Sequence, residues 1–311
     1  MEEKKMNKKI LMTLSLSTLS IIPSCFSLIS CTKENKQDEK KSLNQIIEGN
    51  ENANEREWKN FLNRDYVKEI LRLSFDADVD AKNKYIAEQK KLNNNIEYSK
   101  KLKEALIYGN SLKASSSYNS DDFSSQPKLL FQNGKKIFNE LKSKNWLWFL
   151  YNLPKIIFGY FPPMNKFESS DEQSALTAQG NSLILGHFYK PKSNEIIQYT
   201  TQVTKNDKNG ERTYDVYLLT KEGFILQLTI DWAKDDEDNK IKPSVKLFGY
   251  IYTYPNIVKD RNNLNIFNIQ KYVIANTESF DDINNRTLQI LFQDQYGGSP
   301  LRYTIIDVSL K

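Results

Sequence analysis

Apolar residues recur every three or four positions from Trp58 to Leu141, then every second position from Tyr214 to Trp232. A helix returns to one face about every 3.6 residues and a strand every second residue, so one change of period orders the fold: helices first, strands after. Trp58, Phe61, Leu62, Tyr66, Ile70, Leu71 and Leu73 give a first helical stretch. Residues 81–108 give a second, with Asn93-Asn94-Asn95 as a candidate break, and a third begins near Lys128 with Leu130, Gly134, Phe138 and Leu141 on one stripe. The Ser/Asp-rich residues 111–126 between them read as a loop.

Past residue 181 the strand period takes over. Phe224, Leu226, Leu228, Ile230 and Trp232 alternate with Ile225, Gln227, Thr229 and Asp231, and residues 214–220 precede them across Lys221-Glu222-Gly223. Residues 196–204 join that strand through a loop holding Asn209-Gly210, and both connections are hairpin signals. Residues 183–189, 245–254, 266–275, 288–292 and 303–310 add candidate strands. The expected fold class is α+β, with an N-terminal helical region over residues 56–168 and a C-terminal antiparallel β domain over 169–311, as a sandwich or an open barrel.

Between the two lies the densest aromatic segment, residues 146–167, with Trp146, Trp148, Phe149, Tyr151, Phe158, Tyr160, Phe161 and Phe167. Eight rings stand where the chain-wide rate gives about 2.6, roughly a threefold excess. Pro154 and Pro162-Pro163 interrupt the segment, which excludes a transmembrane helix and suggests a helix end, a break and a short apolar turn. Three readings stay open: the rings join the core, they sit at lipid headgroups with Lys142, Lys144 and Lys155 nearby, or they dock a partner. Under the last two, Trp146, Trp148, Phe149, Tyr151, Phe158, Tyr160 and Phe161 are the candidate contact residues.

The N-terminus carries an address. Lys4, Lys5, Lys8 and Lys9 precede an apolar run from Ile10 to Ile22, too short to span a bilayer comfortably, and Leu28-Ile29-Ser30-Cys31 follows. That order is a lipoprotein signal peptide over residues 1–30 with Cys31 as the lipidation site. Cys25 is a poorer acceptor because Pro23 stands two residues before it. Residues 31–55, rich in Lys, Glu, Asn and Gln, read as a polar tether.

Cys25, Cys31 and His187 are the only cysteines and histidine in 311 residues, which argues against disulfide scaffolds, zinc ribbons and Cys/His catalysis. No GxxxxGK[ST] or GxGxxG cradle occurs, and His187 has no nucleophile-elbow serine. Asp76, Asp78 and Asp80 copy the first ligands of a calcium loop, but Ala81 and Ala87 occupy the positions that need Gly and Glu. No metal and no cofactor are therefore expected. The net charge of +5 is small, and only 7 of the 44 basic residues are arginine, the side chain that clamps phosphates and guanine edges, so nucleic acid is not expected either.

The Lys/Asn-rich composition, the Met6-Asn7-Lys8-Lys9 start, the Leu28-Ile29-Ser30-Cys31 box and the tether together resemble a mycoplasmal surface lipoprotein. The run from Trp146 to Phe161 is similar to the aromatic cluster surface proteins. The resemblance implies exposure on the outer face of the cell membrane through an N-terminal lipid. The expected function is that of a non-enzymatic surface protein binding host molecules or other surface proteins. The alternative is a solute-binding or accessory lipoprotein of a membrane transport assembly.

Overall fold

The computed structural model describes residues 53–110, 112, 125–161, 188–235, 240–277, 296–297 and 300–310. Cys31, the leader, nearly all of the tether, Phe167, His187, the 168/169 boundary and the strand expected over 288–292 lie outside them.

Among the described residues six helices form one layer: α1 (Ala53–Leu62), α2 (Asp65–Phe75), α3 (Val79–Asn93), α4 (Ile96–Gly109), α5 (Ser125–Ser143) and α6 (Trp146–Tyr151). The first helical stretch divides at Asn63-Arg64, where Arg64 takes an extended conformation ahead of α2. The second divides in the asparagine run: Asn95 is the N-cap of α4 and its side chain accepts from Glu97 N. The short turn between α2 and α3 explains its aspartates. Asp76 adopts a φ of 49°, Asp78 caps α3 by accepting from Ala81 N at 2.9 Å, and Asp76 pairs with Arg212 at 2.8 Å.

A 3₁₀ turn at Leu153–Lys155 leads directly into β1 (Ile156–Tyr160). The apolar turn expected after Pro154 is thus a strand, paired on both sides. The others are β2 (Phe188–Tyr189), β3 (Ile196–Asn206), β4 (Arg212–Thr220), β5 (Ile225–Lys234), β6 (Ile241–Leu247), β7 (Ile251–Thr253) and β8 (Leu301–Val308). They form one open antiparallel sheet in the order β2-β1-β8-β7-β5-β4-β3, with β6 also paired to β5. The candidate strand over 245–254 breaks at Phe248-Gly249-Tyr250 because both its halves share one edge of β5. Leu228 to Lys234 pair with β6, and Ile225 pairs with Tyr252 of β7.

Helices, rather than a second sheet, cover both faces of this one. Alternation sends Val216, Leu218, Leu226, Leu228 and Ile230 into a core shared with α1–α6, and Tyr217, Leu219 and Ile225 into a smaller core on the other face. That second core is closed by α7 (Pro255–Lys259), a 3₁₀ turn at Arg261–Asn265 and α8 (Ile269–Thr277). The strand expected over 266–275 is a correction, since most of it is α8. Asn268 starts that helix, its side chain accepting from Lys271 N, and Ile269, Tyr272 and Val273 fall on one helical stripe while Ile266 and Ile274 face out.

Candidate functional site

The aromatic segment occupies the middle of the molecule. Five consecutive residues of α6, Trp146 to Leu150, are buried, so this short helix is apolar on every side, and such a helix is stable only inside a core. Tyr85 of α3 stacks on Trp146 at 5.5 Å, Tyr98 of α4 meets Trp148 edge-on at 5.0 Å, and Trp58 and Phe61 of α1 meet Tyr151 at 4.9 and 5.1 Å. Phe158 packs on Phe224, Tyr160 on Tyr303, and Phe161 on Tyr250.

Trp146, Trp148, Phe149, Phe158, Tyr160 and Phe161 are therefore buried in the core, the first of the three readings open from the sequence. Of the seven, Tyr151 alone is half-exposed. Polar side chains missed by sequence reasoning hold the ends of α6. The buried Gln89 donates to Asn145 Oδ1 and accepts from Trp148 N, and Asn145 Nδ2 donates to the Tyr98 hydroxyl. Asn152 Nδ2 donates to Asn93 Oδ1 at 2.8 Å and to the Trp148 carbonyl at 3.0 Å.

Tyr151 opens onto a groove of about 960 Å³ at the junction of α1, the α3–α4 break, the end of α6 and the segment before β3. Trp58, Phe61 and Tyr151 make its apolar wall. Asn54, Asn60, Asn93, Asn94, Asn152 and Asn194 supply amides, and the charged side chains are Glu55, Glu57, Arg64, Lys90, Lys155 and Lys192. The sequence marked Tyr151 as a candidate contact residue with Lys155 nearby, but the asparagines that line the groove did not stand out in a chain with 32 of them.

Its walls are fixed by contacts between distant segments. Arg64 Nη1 donates to the Asn194 carbonyl at 2.5 Å and its guanidinium lies over Phe61, while Asn194 Nδ2 donates to the Tyr151 carbonyl at 2.7 Å. Lys90 pairs with Glu55 at 3.2 Å. Beneath the rim the buried Glu222 accepts from the Tyr189 hydroxyl, Lys192 N and Ser193 N. Burial holds the Tyr151 phenol above its ordinary range, with Glu57 adding to the shift and Arg64 opposing it. Burial alone draws the Lys155 ammonium below the usual lysine value.

A family model described as aromatic cluster surface protein matches residues 37–297. The chain belongs to that family. It is accordingly a surface protein. Comparison with curated proteins and with solved structures gives no match. Among the described residues no helix is long and apolar enough to cross a membrane.

Proposed function

We propose that the protein is held on the outer face of the membrane by a lipid on Cys31 and acts by binding rather than catalysis, through the groove beside Tyr151. The single observation behind this reading is the groove itself. Its size lies at the upper end of the roughly 300–1,000 Å³ typical of ligand sites, and its lining combines an aromatic wall with many hydrogen-bonding groups. Its two carboxylates, Glu55 and Glu57, stand two residues apart on α1 and so point in different directions, and Glu55 is engaged by Lys90. Such a lining suits recognition of a molecule on a host cell or on a neighbouring surface protein better than acid–base chemistry.

The experiment has two arms. Cys31→Ala should move the protein from the detergent to the aqueous phase in a phase-partition assay, and protease added to intact cells should remove the wild-type body. For the groove, Asn60→Trp places a bulky ring on the exposed face of α1. Cells displaying that variant should adhere to cultured host epithelial cells less than cells displaying wild type. Retention of the Cys31→Ala chain in the detergent phase, a body protected from protease on whole cells, or adherence unchanged by Asn60→Trp would each count against the proposal.

A further inference from the structure

We infer that the groove binds an acidic, hydroxyl-rich saccharide, with a sugar ring against Tyr151 and the anionic group drawn to Lys155 and Lys192; the inference rests on the groove being the ligand-contacting surface. The charge balance is the first argument. Arg64 is committed to Asn194 and Tyr66, and Lys90 to Glu55, whereas Lys155 and Lys192 have no carboxylate partner among the described residues. Lys155 is half-buried, and taking a cation from water without a counter-charge is unfavourable, so a ligand anion would restore what burial removes.

The amides give the second argument. Asn54, Asn60 and Asn94 stand exposed on the rim, with no side-chain hydrogen bond to other described residues, and Asn93 Nδ2 and Asn194 Oδ1 remain open beside their used partner atoms. A primary amide offers both donors and acceptors, as a sugar hydroxyl does, so a row of asparagines matches a polyol better than an acceptor-only phosphate.

Among the described residues the groove's lining contains no Leu, Ile, Val or Met, so an acyl chain would find little aliphatic surface. Tyr151, braced edge-on by Trp58 and Phe61, instead offers one flat ring of the size a pyranose covers.

The test uses the mature chain from residue 31 with Cys31→Ala, titrated by calorimetry and saturation-transfer NMR with 3′-sialyllactose, a heparin-derived hexasaccharide, neutral lactose, inorganic phosphate and phosphatidylglycerol vesicles. At least one acidic saccharide should bind about tenfold or more tightly than lactose. Lys155→Gln with Lys192→Gln keeps the aliphatic stems, and should lower that affinity by about tenfold or more while leaving the urea unfolding midpoint in place. No saccharide binding, equal affinity for lactose, binding undiminished in the double variant, or binding only to phosphate or vesicles would overturn the inference. Adherence that Asn60→Trp abolishes, but that no acidic saccharide competes away, overturns this inference and leaves the groove proposal standing. Adherence indifferent to Asn60→Trp removes both.

Discussion

Trp232 Nε1 donates a 2.8 Å hydrogen bond to the carbonyl of Leu73, tying the middle of the sheet to the last turn of α2 across 159 residues of sequence. Arg212 lies over the same indole at 4.5 Å and reaches Asp76 just beyond that turn. Trp232→Phe keeps most of the apolar contact but leaves a helix-end carbonyl without this donor. The expected loss is about 1–2 kcal/mol in urea unfolding, since a net hydrogen bond is worth about 1 kcal/mol and the guanidinium loses its best ring. Arg212→Met should cost less, because its ion pair with Asp76 is largely exposed. Equal losses for the two variants would show that the indole N–H contributes nothing of its own.

Gly109 of α4 and Gly134 of α5 face one another so closely that their backbones touch. A Cβ at Gly109 would lie 2.2 Å from the Gly134 carbonyl carbon, and one at Gly134 would lie 2.6 Å from the Ala105 oxygen. In an open helix Gly→Ala gains up to about 1 kcal/mol from backbone entropy and propensity. Here the obstruction is main chain, which cannot swing aside, so the sign reverses. Gly109→Ala should destabilise by about 1–3 kcal/mol, measured as a lower unfolding midpoint at unchanged slope.

The same pair shows what the sequence could and could not disclose. Gly134 sits on the apolar stripe with Phe138 and Leu141, so its burial was legible; Gly109 follows no pattern, and only tertiary contact gives it meaning. The period change located the N-terminal helical region, β3, β4, β5 and β8, because a half-buried element writes its period into its side chains. It misplaced α8, where Ile266 to Ile274 mixes inward and outward apolar residues and alternation and helical stripe overlap. The aromatic segment was found by composition, yet burial is a property of what surrounds a residue. Tyr85, Tyr98 and Trp58, each far away in sequence, cover α6 and decide it. The groove was the least legible feature, since its lining is drawn from four separated segments whose commonest residue, asparagine, is also common elsewhere.

Alkaline pH should unfold the protein through its tyrosines. Burial pushes Tyr98 up to about 12, against a weaker opposing bond from Asn145, and pushes Tyr217 up to about 12, with Asp215 adding to it. A phenol whose folded pKa is raised above the unfolded value of about 10 stays protonated in the native state while the unfolded chain loses its proton. The associated stability is complete below pH 10 and is lost as pH rises towards 12. Absorbance at 295 nm should therefore rise together with loss of circular dichroism over that window. Tyr217→Phe removes one such group and should make the decline in stability shallower; a slope identical to wild type would refute its contribution.

Glu222 decides whether the groove keeps its shape. It is a buried carboxylate in the turn between β4 and β5, and it gathers three donors from the segment that carries Lys192, Ser193 and Asn194 into the groove wall. Lys192 N and Ser193 N share one oxygen at 2.6 and 2.9 Å, and the Tyr189 hydroxyl uses the other. In Glu222→Gln the amide oxygen can still accept both backbone N–H groups, while the new NH₂ donates to a hydroxyl that is free to turn, so the cost should be about 1 kcal/mol. Glu222→Leu offers nothing to any of the three. The three donors are only partly buried and water can take up some of them, so the loss should be about 2–3 kcal/mol, larger than that of the glutamine variant. Hydrogen exchange separates local from global effects: in Glu222→Leu the Lys192 and Ser193 amides should lose protection well before those of β4 and β5, and groove-dependent binding should weaken with them. Equal protection across the two variants would place the anchoring of this segment in the Arg64 and Asn194 contacts instead.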